Sequence, residues 1–302
     1  MAKLTQEEIL EYLRPFRELG KEFFDTDFPS TWNVPEGYRL EKLQENGVSI
    51  ECLIPEKKNS ELVIYHLHGG AYAFRYSDVY RQAALKHSQA AGGTEVISLD
   101  YGCIPKHVFP NALEECISGY KWMLEHGIDA NNIIVAGDSA GGNLAMVLTM
   151  YLRDHHLAMP RAIFTASPWV YLGNDFDSMT RNYKKDVLLG ESNPTLYSEV
   201  MNPGYIKGAD IKNPYISPLY GDFTDFPPML IQCGDSGILF DPIVETAKRI
   251  EDAGVDVTFT IYKGVAHDFQ LFLPMLEESE KAWKEIAKFY RKVGKIRKTR
   301  CS

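Results

Sequence analysis

The stretch Ile133-Ile134-Val135-Ala136-Gly137-Asp138-Ser139-Ala140-Gly141-Gly142-Asn143 decides how the rest of the chain is read. Its first four residues are apolar and mostly β-branched, the signal of a short buried strand. Gly137 and Gly141 then leave room for a turn where side chains would collide with neighbouring backbone. A helix is expected to begin near Gly142-Asn143. Strand, sharp turn and helix form the context in which G-x-S-x-G acts as a nucleophile elbow. Such a turn projects Ser139 Oγ above the sheet and sets it near a helix N-terminus, which favours developing negative charge.

Outward from this point the pattern alternates. Short β-rich runs are read at Leu62–His68, Glu95–Leu99, Ile133–Ala136, Ala162–Ala166, Met229–Cys233 and Val257–Tyr262. Helical stretches lie between them at Val79–Ala91, Ala112–Glu125, Asn143–Asp154 and Pro242–Ala253, and Glu277–Arg291 follows the last. Strand–helix alternation predicts a mostly parallel sheet with helices on both faces. Ahead of it, Tyr38–Gln44 and Val48–Ile54 flank Asn46-Gly47, a hairpin signal that adds antiparallel strands at one edge. Thr5-Gln6-Glu7-Glu8 is a capping box, and Ile9, Leu10, Leu13, Phe16 and Leu19 give the helix it opens an apolar face.

From about Tyr171 to Asp225 the chain is rich in Asn, Asp, Tyr, Pro and Gly, with no clear strand. An excursion of that length inside a compact domain is usually functional. It is expected to pack with the N-terminal helix as a cap over the sheet. The basic stretch Lys292–Arg300 lacks apolar spacing and is read as a solvated or disordered end.

Composition narrows the classes. The chain has 302 residues, with 32 Lys and Arg against 41 Asp and Glu, a formal charge of −9. So acidic a chain is a poor partner for nucleic acid or anionic lipid. No apolar run approaches the roughly 18 residues of a membrane span. Met1 to Phe16 carries several charges and no apolar core of a secretory signal. Cys52, Cys103, Cys116, Cys233 and Cys301 are odd in number, scattered and free of CxxC spacing, so reduced thiols in a cytoplasmic protein are expected. His66 and His68 share one strand face without an obvious third ligand, so no metal is expected. No dinucleotide or phosphate loop follows the first strand.

Two further segments carry chemistry. His68-Gly69-Gly70-Ala71-Tyr72 ends the run from Leu62, and a Gly-Gly turn lets backbone N–H groups approach a substrate closely. Gly69 or Gly70 N–H together with Ala140 N–H would form an oxyanion hole, each donor worth on the order of 3 kcal/mol in the transition state. Gly264-Val265-Ala266-His267-Asp268-Phe269 follows the last strand. A histidine there can serve Ser139 as general base and then as general acid to the leaving alcohol.

The three motifs and their spacing resemble the hormone-sensitive-lipase-like family of α/β-hydrolases, in its bacterial esterase branch. The likeness runs over nearly the whole chain. It includes Leu99-Asp100-Tyr101, Phe109-Pro110, Ala112-Leu113-Glu114-Glu115, Tyr120-Lys121-Trp122, Ser167-Pro168-Trp169, Ser217-Pro218-Leu219-Tyr220 and Pro227-Pro228. The resemblance implies an α/β-hydrolase fold over residues 1–302, with a helical cap built from about 1–36 and about 171–225. It implies a carboxylesterase that works without a cofactor on a small-molecule ester, with short acyl chains preferred and a homo-oligomer possible. Tyr72, Phe74, Trp169 and Tyr171 suggest an apolar acyl pocket. An amidase or formamidase on the same scaffold, or a non-catalytic small-molecule receptor of the same fold, is the alternative.

The chain departs from the family in two places. Ala71 stands where the oxyanion motif usually has a third glycine. More seriously, the family segment after Pro-Pro and the strand reads roughly Gly-Glu-x-Asp-x-Leu, with the acid fourth. Here Gly234-Asp235-Ser236-Gly237-Ile238-Leu239-Phe240-Asp241 puts Gly237 at that position. Asp235, just past the strand end with no competing duty, is the preferred substitute. Asp241, before Pro242 and Glu245, reads as a helix N-cap and is the alternative. A serine–histidine dyad with water in place of the acid, or a non-catalytic protein, stays open. Asp268 is expected to point away from His267, and Asp138 to brace the elbow.

Overall fold

The computed structural model describes residues 5–19, 30–45 and 47–295. The strands are β1 (Tyr38–Glu45), β2 (Val48–Pro55), β3 (Val63–Leu67), β4 (Glu95–Asp100), β5 (Ile133–Asp138), β6 (Ala162–Ala166), β7 (Met229–Gly234) and β8 (Val257–Tyr262). They form one sheet in the order β1-β2-β4-β3-β5-β6-β7-β8. The pairs β1–β2 and β2–β4 are antiparallel, and every pair from β4 to β8 is parallel. The hairpin therefore adds the antiparallel edge expected from its turn, although Asn46 itself lies outside the described residues.

The helices are α1 (Gln6–Leu19), α2 (Asp78–Ala90), α3 (Asn111–Glu125), α4 (Ser139–Asp154), α5 (Ser178–Arg181), α6 (Pro194–Met201), α7 (Phe240–Asp252), α8 (Phe269–Phe272) and α9 (Glu277–Lys295). Side chains alternate across a strand, so one run of sequence feeds two cores. Ile64, Ile134 and Ala136 face the layer of α2 and α9, with Leu85, Ile286 and Phe289. Val63, Tyr65, Ile133 and Val135 face α3, α4 and α7, with Met123, Leu144, Val147 and Ile243. Strands buried on both faces read as continuous apolar runs, which is why β3, β5 and β6 stand out in the sequence. Each fully buried side chain of this size contributes about 1.5–3 kcal/mol.

The capping box at α1 is formed: Glu8 N–H donates to Thr5 Oγ1 at 3.2 Å, and Thr5 N–H donates to Glu8 Oε2 at 2.7 Å. Leu13 is buried in the larger core, and Phe16 packs on Phe272 with ring centroids 4.8 Å apart. Residues 171–225 hold two short helices and a 3₁₀ turn at Pro218–Tyr220. Asn193 caps α6 and Pro194 follows at its first turn, where a missing N–H costs nothing. The basic end departs from its expectation as far as Lys295. It continues α9, with Val293 buried and Lys292 paired to Asp256. Its remainder, 296–300, lies outside the described residues. Among the described residues no helix is long and apolar enough to cross a membrane.

Candidate active site

The elbow is closed by contacts that only small residues allow. A Cβ on Gly137 would overlap the Gly141 carbonyl, and one on Gly141 would overlap the Leu67 carbonyl. The start of α4 is thus pressed against the ends of β3 and β5. The helix begins at Ser139 itself, earlier than the glycine pair suggested. Ser139 takes φ +50°, a left-handed conformation that a non-glycine residue adopts at a cost. Trp169 N–H donates to the Ser139 carbonyl at 2.9 Å and fixes the turn from the β6 side.

The turn after β3 is equally constrained. Gly70, Ala71 and Tyr72 have φ of +101°, +55° and +58°. Tyr101 hydroxyl donates to the His68 carbonyl at 2.7 Å and its ring stacks on His68 at 4.1 Å. His68 is buried and pushed down to about 3 by desolvation, so it is neutral, and its Nδ1–H donates to the Gly69 carbonyl at 2.7 Å. Its part is to hold the Gly69-Gly70 backbone.

Ser139, Gly70, Ala71, His267 and Asp268 line one cavity of about 540 Å³. Tyr12, Leu13, Pro15 and Phe16 of α1 bound it on one side, and Leu188, Leu189, Leu196 and Val200 of the insertion on another. Of the four aromatic residues expected around an acyl pocket, Phe74 lines it. The other three do not line it. Tyr72 stacks on Tyr205 at 3.8 Å and donates to Asn143 at 2.8 Å, Trp169 is buried in the core, and Tyr171 donates to Asp175.

His267 is buried, and desolvation pushes its imidazole down to about 4 against the raising influence of Asp186 and then Asp138. It is therefore neutral near pH 7 and able to accept a proton. Nε2 stands 3.0 Å from Asp268 Oδ2, while Nδ1 is buried without a hydrogen-bond partner. The expectation that neighbouring side chains diverge is corrected here. Asp268 has φ +45° and ψ 33°, and this left-handed kink folds its carboxyl back onto the ring. Asp268 N–H donates to Ser167 Oγ at 3.1 Å, which ties the histidine loop to the end of β6. Burial raises both Asp138 and Asp268 well above the ordinary carboxyl range, and Asp138 is raised further by Asp268.

The acid is where sequence and structure part. Asp235 does not meet His267. Its Oδ1 accepts the Gly264 N–H at 2.8 Å and the Ser236 hydroxyl at 3.1 Å. Asp241 does not meet it either. Its carboxylate accepts the Ser178 N–H at 2.9 Å and pairs with Arg181 at 2.7 Å. The helix-cap reading of Asp241 is also corrected: Leu239 is the N-cap of α7, and Asp241 ties α5 to the first turn of that helix.

A residue from the insertion stands at the site instead. Asp186 Oδ2 lies 3.7 Å from the point where a Cβ on Gly237 would sit, and the His267 backbone nitrogen lies 3.5 Å from the same point. Asp186 follows no periodic pattern and belongs to a segment without strand or long helix. Its side-chain position depends on residues some fifty places downstream, so only the glycine at 237 hinted that a carboxylate must come from elsewhere.

With this geometry in place the comparisons decide the family. The family model for the alpha/beta hydrolase fold matches residues 64–271. The chain belongs to the α/β-hydrolase family. It is 32% identical to an acetyl-hydrolase of Streptomyces hygroscopicus over 80% of this chain and 79% of the relative. It is 30% identical to an ethyl acetate hydrolase of Pseudomonas putida over 72% of this chain and 69% of the relative. The crystal structure of an esterase from the bacterial hormone-sensitive lipase family aligns with a TM-score of 0.80 and 29% identity, covering 97% of this chain and 99% of the other. This α/β-hydrolase falls in the hormone-sensitive-lipase-like branch. Among its described residues, no group of three His, Cys, Asp or Glu side chains is arranged to hold a metal ion.

Proposed function

We propose that this α/β-hydrolase is a serine carboxylesterase that cleaves short-chain acyl esters through an acyl-enzyme on Ser139. The observation that carries the reading is one cavity bounded by the strained Ser139, the neutral His267 and the Gly70 turn. Ser139 Oγ attacks the ester carbonyl and His267 takes its proton. The oxyanion faces the N–H groups of Gly69 or Gly70 and of Ala140. The C–O bond then breaks, the alcohol leaves with the proton from His267, and Ser139 holds the acyl group. Water attacks the acyl-enzyme with His267 again as base, releasing the carboxylic acid and restoring Ser139.

Short chains are what the family resemblance implies. The apolar side chains of Phe16, Leu189 and Phe272 line the cavity where an acyl chain would lie. The relatives named for acetyl-hydrolase and ethyl acetate hydrolase activity point the same way. α1 and the insertion 171–225 form the cap in this reading, since both contribute walls and Gln6 of α1 donates to the Lys184 carbonyl. The four described cysteines are buried and none is in a disulfide, which fits a reducing, cytoplasmic setting.

The test is hydrolysis of p-nitrophenyl esters of rising chain length, with phosphonate labelling of the same protein. Activity should peak between acetate and hexanoate, and Ser139→Ala should retain less than about 1% of it and take no label. Cleavage of matching amides at comparable rates would favour the amidase reading. Absence of both turnover and label would favour a receptor.

A further inference from the structure

We infer that Asp186, carried by the insertion, is the carboxylate partner of His267 and takes over the place that Gly237 leaves empty beyond β7. The inference rests on the esterase reading and deepens it: the acid that orients the base comes from the cap and not from the sheet. Asp186 acts through His267 and is therefore a positioning residue.

Three observations support it. The first is place. A side chain on residue 237 would start 3.5 Å from the His267 backbone nitrogen and in van der Waals contact with Asp186 Oδ2 at 3.7 Å, so the Asp186 carboxylate borders the place from which the family's acid would reach the histidine loop. The second is anchorage. Asp186 Oδ1 accepts the N–H groups of Leu188 and Leu189 at 3.1 and 3.0 Å, and Oδ2 accepts the Ile238 N–H at 2.9 Å. Three backbone donors converging on two oxygens are the surroundings of an anion. The segment around it is fastened to the same loop. Asn182 Nδ2 donates to the Asp235 and Gly237 carbonyls, both at 2.9 Å, and Ser178 Oγ donates to the Ile238 carbonyl at 2.7 Å.

The third observation is need. His267 Nδ1 is buried and has no hydrogen-bond partner. Nε2 lies against Asp268 at 3.0 Å from Oδ2. A base that must gain a proton from Ser139 is stabilised as imidazolium by an anion at its other nitrogen. Asp235 and Asp241 are committed elsewhere. Asp268 stands at Nε2, and burial first, with Asp186 among the charges, raises its carboxyl well above the ordinary range. The charged and titratable groups facing His267 are thus Asp186 from the insertion, Asp138 from the elbow and Asp268 from its own loop. Tyr80 of α2 lines the same cavity.

The experiment compares full-length variants on p-nitrophenyl acetate. Asp186→Asn should lower kcat by about 10³-fold or more, as losing the acid of a triad does, while Asp235→Asn stays within about 3-fold of wild type. Because Asp186 raises His267, the acid limb of the kcat/KM pH profile should move to lower pH in Asp186→Asn. Asp186→Asn/Gly237→Asp should recover at least tenfold over the single variant and bring the limb back. A merely structural Asp186 would lower activity without moving the limb and without rescue, and that result overturns the inference. So does an Asp186→Asn protein within tenfold of wild type. If Asp186→Asn fails to fold, Gly237→Asp alone carries the test. A second carboxylate beside Asp186 should lift the acid limb to higher pH, and an unmoved limb overturns the inference. A wild-type protein that neither cleaves ester nor takes the phosphonate refutes the esterase reading itself.

Discussion

Asp138 holds its carboxyl in the space that a side chain on Gly69 would need. A Cβ there would overlap Oδ2 and come within 3.1 Å of both Cγ and the Asp138 carbonyl oxygen. The elbow and the turn after β3 are therefore fitted to each other through a residue with no side chain. Gly69→Ala must push the turn away from Ser139 or displace Asp138, which is buried and cannot move into solvent. Loss of one oxyanion donor costs about 10²–10³ in kcat. We expect Gly69→Ala to lose that much on p-nitrophenyl acetate with a smaller change in KM, and an unchanged kcat would show that Gly69 is remote from the developing charge.

A buried ion pair fastens the antiparallel edge to α2. Arg81 donates to both Glu51 oxygens, Nε to Oε2 at 2.7 Å and Nη2 to Oε1 at 2.5 Å, and also to Asp78 at 2.7 Å. Burial alone would raise Glu51, but Arg81 and then Lys42 outweigh it and hold the carboxyl below its usual range. Arg81→Met leaves Glu51 buried with Lys42 as its remaining partner. Urea denaturation should report a loss of about 3 kcal/mol, and Arg81→Met/Glu51→Leu should regain most of it, since an apolar pair needs no compensating charge. A double variant as unstable as the single one would show that packing, not the stranded charge, sets the cost.

How far the sequence reaches is clear from particular residues. Ile133–Ala136 and Leu62–Leu67 are legible because strands buried on both faces need unbroken apolar runs. The elbow is legible because only glycine tolerates the contacts at 137 and 141. Asp268 is misread because its direction depends on a single left-handed residue, and Asp carries no firm signal for that conformation. Asp186 is invisible because the insertion has no periodicity and its contacts join residues far apart in the chain. Asp241 resembles a helix cap since Asp-Pro often is one, yet the helix starts earlier and the carboxylate serves Ser178 and Arg181 instead.

The walls of the cavity should set chain-length preference. Leu189 and Phe16 reach it from the insertion and from α1, and Phe16 is backed by Phe272. One methylene in an apolar pocket changes kcat/KM by about tenfold or more. Leu189→Trp should therefore lower kcat/KM for hexanoate at least tenfold relative to acetate, while Phe16→Ala should raise the hexanoate-to-acetate ratio severalfold. The profile across p-nitrophenyl esters decides it. A ratio unmoved by both variants would place the acyl chain elsewhere.

Stability should fall as the solution is acidified, before the ordinary carboxylates titrate. Four histidines are buried, and desolvation pushes each down: His66 and His68 to about 3, His267 to about 4, and His87 well below its usual value. In the unfolded chain they bind protons below about pH 6.5, whereas in the folded chain they stay neutral. The unfolded state then holds more protons, so stability is intact above pH 6.5 and is lost progressively as pH falls towards 4. Each histidine contributes a slope of about 1.4 kcal/mol per pH unit once its unfolded form is protonated. Asp138 and Asp268 act in the opposite sense. Their pKa values are raised by burial, so their contribution is present in acid and lost as pH rises through the raised values. Between pH 6 and 4.5 they offset part of the histidine slope, two groups against four, so the net fall of stability with acid remains but is shallower. Urea midpoints measured across that interval should decline for the wild type. His66→Gln removes one of the four groups, and whatever it does to absolute stability it should flatten the slope by about one proton. The slope is the deciding quantity, and an identical slope in the two proteins would mean that His66 already carries its proton in the folded state.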